Sequence, residues 1–137
     1  MIGRREPAQG LVELAIVTPG LLLGIMVLLG LGLLMRADGG VAGVAVEAAR
    51  AAASASNPSS AATAAKNQAV SVGDGYGLNN GSLKVAAVDT SGFQRGGEVR
   101  VLVTYVLPVD ELPLLGWQGI TLRHEAFAPI DPNRTFR

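Results

Sequence analysis

PAQGLVELAIVTPGLLLGIMVLLGLGLLM, residues 7–35, decides how the rest of the chain is read. From residue 14 to residue 35 no side chain is charged, and most are Leu, Ile, Val, Met or Ala. At about 1.5 Å per helical residue these 22 residues would span about 33 Å, close to the hydrocarbon thickness of a bilayer. The pattern predicts a transmembrane helix. At its leading edge stands one carboxylate, Glu13, in a place where an ionisable group is costly and therefore a candidate for function. As a plain boundary marker Glu13 would snorkel to water; a functional Glu13 needs a positive partner at the same depth, and the span offers none.

Outward from this stretch, the preceding residues carry Arg4 and Arg5. Basic residues before a first span hold that end in the cytoplasm, so the remainder is expected outside, as a single-pass protein of the cytoplasmic membrane. Arg36 and Asp38 on the far side nearly cancel. The twin arginine invites a twin-arginine export reading, which the following composition does not fit. A cleaved secretory signal fits poorly too. The apolar run is about twice the usual length, its N-terminal edge carries Glu13, and the small-x-small triplet Ala53-Ser54-Ala55 lies far beyond it.

Within the span Pro19 removes a backbone donor, so a kink or loosened turn is expected there. Gly20 and Gly24 share a face in a small-xxx-small pattern. Close packing against other subunits and the ordinary abundance of Gly in membrane helices both account for them. After Gly39-Gly40, VAGVAVEAARAAASAS places Val41, Val44, Ala45, Ala48 and Ala52 on one face, with Glu47 and Arg50 paired on another. One long helix, bent near Gly39-Gly40, is expected to reach about residue 56.

Asn57-Pro58 is a helix start, an N-cap followed by Pro at the first position. The second helix is expected over residues 59–72, stopped by Gly73, with GDGYGLNNG as turn chemistry. Three strands follow from alternation: Leu83, Val85 and Ala87; then Val99, Val101, Val103 and Tyr105; then Ile120, Leu122 and His124. The fold class is α+β: a long N-terminal membrane helix extended into a stalk, then a small head of one helix on a three-stranded antiparallel sheet. The expected division is 1–8 leader, 9–36 membrane helix, 37–56 stalk and 57–137 head.

The chain has 137 residues, 49% hydrophobic and 4% aromatic, with 11 basic and 11 acidic residues and no cysteine. Balanced charge points to no nucleic-acid partner, and disulfides and thiolate metal sites are excluded. No nucleophile elbow, phosphate loop or His cluster appears, so no enzymatic activity and no cofactor are expected. The single histidine, His124, reads as a satisfied structural residue rather than a proton relay. Trp117 with Leu112, Leu114 and Leu115 is either a contact patch or a loop tucked over the sheet.

Arg4-Arg5, then Gln9-Gly10-Leu11-Val12-Glu13-Leu14-Ala15, then Pro19 and a Leu-rich span resemble the N-terminal signature of TadE-like minor pseudopilins of tight-adherence (Tad/Flp) type IV pilus and secretion systems. Glu47-Ala48-Ala49-Arg50-Ala51-Ala52-Ala53 resembles the helix that follows the span in that family, so the similarity covers about the first 55 residues. The resemblance implies cleavage by a prepilin peptidase between Ala8 and Gln9, which makes Glu13 the fifth residue of the mature chain. Ala8 stands where the family usually has Gly. It also implies an assembly contact in which Glu13 meets the new α-amine of a neighbour's Gln9, and partners among other pilins, pseudopilins and Tad assembly components. The rival from a different class is an uncleaved, membrane-anchored binding module; a subunit of another membrane complex packed through Gly20 and Gly24 is a third reading.

Overall fold

The computed structural model describes residues 6–78, 82–108 and 119–133, with side chains from residue 10 onward. Arg4, Arg5, the Asn80-Gly81 turn and the whole Trp117 patch lie outside the described residues. The element order is α1 (Glu6–Ala53), α2 (Pro58–Tyr76), β1 (Lys84–Asp89), β2 (Glu98–Leu107) and β3 (Ile120–Pro129). The strands form an antiparallel meander in the order β1-β2-β3. This is the α+β architecture that periodicity predicted.

α1 is one helix of 48 residues, continuous through Pro19 and through Gly39-Gly40. Its two halves have opposite surroundings. From Leu11 to Met35 the large apolar side chains are exposed, save Leu34, which is half-buried against the head. From Ala37 onward, Val41, Val44, Ala45, Ala48, Ala49 and Ala52 are fully buried. Residues 37–53, most of the 37–56 stretch expected as a helical stalk, pack within the head: α1 lies along β2 and β3, and α2 packs beside it toward β1. The second helix had been expected to cover the sheet; most of that covering falls to α1.

Small residues make the helix pair possible. The buried residues of α2 are Ala61, Ala65, Ala69 and Gly73, an unbroken i,i+4 row. Such a row lets a neighbouring helix approach closely, with interaxial distances of about 8–10 Å typical of helix packing. Gly73 was expected to end the helix. It instead sits buried inside α2, and the Leu83 side chain fills the space a Cβ would need. The helix ends one turn later at Gly77, whose φ of 75° is left-handed, with its N–H bonded to Asp74 and Gly73 carbonyls. The start is as expected and more complete: Asn57 Oδ1 accepts from the Ser60 N–H at 2.8 Å, and the Ser60 hydroxyl accepts from the Asn57 N–H at 3.2 Å.

On the sheet, Val99, Val101, Val103, Tyr105 and Leu107 point into the core from β2. β3 alternates as expected, with Ile120, Leu122, His124, Ala126 and Ala128 inward. β1 departs from the expected phase. A bulge between Val85 and Ala87 shifts the alternation, so Val85 and Val88 face inward while Ala87 is exposed.

Candidate functional site

The exposed half of α1 is a helix long and apolar enough to cross a membrane, close to the N-terminus. Removing a large apolar side chain from water yields about 1.5–3 kcal/mol, so this half represents tens of kcal/mol. That exceeds the about 5–15 kcal/mol net stability of a domain. A surface of this size favours a covering phase such as a bilayer core.

Three residues singled out from sequence meet on this half. Gly20 and Gly24 follow Glu13 by seven and eleven residues, close to two and three turns at about 3.6 residues per turn. Carboxylate and glycines thus share one face of the rod. Glu13 is exposed, with no hydrogen bond or ion pair among the described residues. A Cβ placed on Gly20 or Gly24 would touch nothing within 4 Å. Neither glycine is needed for contacts inside the subunit. The Thr18 hydroxyl donates to the Leu14 carbonyl at 2.5 Å, which satisfies it without an outside partner. Ala8 and Gln9 lie in the first turns of α1.

The second cluster sits where the exposed half enters the head. Asp38 Oδ1 and His124 Nε2 are 2.7 Å apart and tie α1 to β3 across 86 positions of sequence. Nε2 donates to the carboxylate both as imidazolium and as the neutral tautomer protonated there. Their side chains are 50% and 32% exposed, so the pair is a partly solvated brace. His124 is thus satisfied structurally, by a partner that periodicity did not single out. The signal was present: Asp38 lies in line with Val41 and Ala45 on the buried side of α1, as His124 lies on the inward phase of β3.

On the other side of α1 an open cleft of about 180 Å³ is lined by Leu33, Arg36, Ala37, Tyr76, Gly77, Leu78, Tyr105 and Leu107. Tyr76 reaches it by lying across Gly40 and Gly43, where a Cβ on Gly43 would come within 2.8 Å of the tyrosine hydroxyl. Farther out on the head, Arg50 pairs with Glu47 at 2.7 Å and Arg100 with Glu98 at 2.5 Å, both in solvent. Among the described residues no group of three or more His, Cys, Asp or Glu is placed to hold a metal ion. Compared with protein families, curated proteins and solved structures, the chain matches none.

Proposed function

We propose that this chain is a minor pseudopilin similar to the TadE-like proteins, a structural part in the assembly of a Tad/Flp type IV pilus or related secretion apparatus. It acts without enzymatic activity of its own and without a cofactor. It is held in the cytoplasmic membrane with residues 1–8 inside and the head outside. The observation that carries this reading is the common face of Glu13, Gly20 and Gly24 on an otherwise apolar, exposed rod that continues into a head. A lone carboxylate beside a groove of small residues favours close approach of a second helix bearing a positive charge.

The prepilin peptidase supplies that charge by cutting between Ala8 and Gln9. The first four N–H groups of a helix lack intrahelical acceptors, so unwinding the first turn of α1 to present this bond costs little. The new α-amine of Gln9 has an ordinary pKa near 8 and is mostly protonated at neutral pH. Paired with Glu13 of a neighbour at about 4 Å, it gains about 4 kcal/mol at an effective dielectric of about 20. That roughly offsets the desolvation of the two ions, so the contact sets register more than it adds stability.

The test is intact mass. Co-expressed with the cognate peptidase, the chain should lose residues 1–8; Ala8→Gly should be processed at least as well and Ala8→Leu should not. Because Ala8 replaces the usual Gly, the competing reading is an uncleaved anchor whose head recruits a partner. An unprocessed chain beside active peptidase selects it.

A further inference from the structure

We infer that the cleft between α1, the end of α2 and the end of β2 is a phospholipid site, in which Arg36 holds the phosphodiester of a lipid headgroup. The inference rests on the membrane placement proposed above, and on neither cleavage nor assembly.

Two observations lead to it. First, the chain has no spacer between anchor and head. Arg36 is the first charge after the apolar run, and a span of about 20 residues ending there fills a bilayer core of about 30 Å. Yet Leu33, one turn earlier, already shares the cleft wall with Leu107 and Tyr105, and Leu34 packs on the core of the head. The head therefore begins at headgroup depth, and the cleft opens there.

Second, the cleft is amphipathic in the right sense. Leu33 and Leu107 form an apolar wall continuous with the membrane helix. Arg36 stands one helical turn toward the head, exposed and without a hydrogen bond or ion pair among the described residues. Asp38, the nearest acid along α1, is engaged by His124 on β3. Tyr76 and Tyr105 complete the lining, and tyrosine is at home at the membrane–water interface. A guanidinium binds phosphate oxygens through a two-pronged, charge-assisted pair. A free phosphate would leave the leucine wall unused; a phospholipid uses both.

Native mass spectrometry of the full chain, purified in detergent with phosphatidylglycerol added, reads the site directly. One retained phosphatidylglycerol per chain is expected, with no comparable retention of diacylglycerol, which lacks the phosphate. Arg36→Gln should lower retention about ten-fold, the loss expected for one charged hydrogen-bonding contact, while Arg36→Lys recovers part of it. Arg50→Gln, at the far end of the head, should retain lipid like wild type. Thermal melting of the head should be unchanged in Arg36→Gln, which separates lost binding from lost folding. Equal retention by Arg36→Gln and wild type overturns the site, as does displacement of the lipid by inorganic phosphate. A chain that enters vesicles yet retains no phosphatidylglycerol fails this inference alone, whereas one that stays out of vesicles fails the membrane placement with it.

Discussion

Glu13 is a single residue on which two readings separate cleanly. As a boundary marker it matters only through polarity, so uncharged replacements would do no harm. As an assembly contact it matters through negative charge opposite a neighbouring amine. Glu13→Leu removes a group costing up to about 3 kcal/mol at a span centre and less at its edge. It should insert and be processed normally, yet fail to support pili, while Glu13→Asp should work in part. Full piliation by Glu13→Leu at normal expression would refute charge pairing. At the other end of the apolar run the Asp38–His124 brace belongs to folding. Because both side chains are partly solvated, a double-mutant cycle with Asp38→Ala and His124→Ala should return a coupling of about 0.5–1 kcal/mol. Strict additivity in urea unfolding of the head would show that the two groups do not interact. Alternation of hydrophobic residues made the inward phase of His124 legible, but not its partner, since a period within a strand says nothing of what faces it.

At the scale of elements, local signals survived wherever the cause was local. Asn57 and Ser60 close a capping box on α2 through their own side chains, and the start was already legible from Asn57-Pro58. Asn57→Ala should cost about 1 kcal/mol and lower the melting temperature of the head by about 4–8 °C. An unchanged midpoint would mean the cap is already frayed in solution. Signals failed where the cause lay elsewhere in the chain. Gly73 reads as a stop, yet it lies inside the helix, where its missing side chain makes room for Leu83, a residue ten positions on. Ala87 reads as inward, yet a bulge gives its place to Val88. The alanines after residue 41 read as one helical face over a stalk. They are buried on more than one side because α2 and the sheet both press against them, and alanine's small bulk is what admits two neighbours at once.

For the molecule as a whole, topology is the property most open to direct measurement. Arg4 and Arg5 precede the only apolar run long enough to span a bilayer, and positive charge stays with the cytoplasm. A reporter fused after Arg137 should be active only outside the cytoplasm, and cytoplasmic activity would overturn both the orientation and the pilus reading. The α+β class was legible because its elements are periodic. The Glu13 face was half legible, since the two glycines are spaced for one face, while the alignment with Glu13 needed the helix to run unbroken through Pro19. That unbroken helix has a mechanical consequence. At about 1.5 Å per residue α1 is a rod of about 72 Å, clamped at its upper third by the head and, in the membrane placement proposed above, embedded below. With no joint between the two, torque applied to one is delivered to the other. A tilt of about 20°, ordinary for a membrane helix, would swing the far end of the rod sideways by roughly 25 Å. The orientation of the head is then steered from within the bilayer, and any neighbour that twists or straightens the anchor also aims the head.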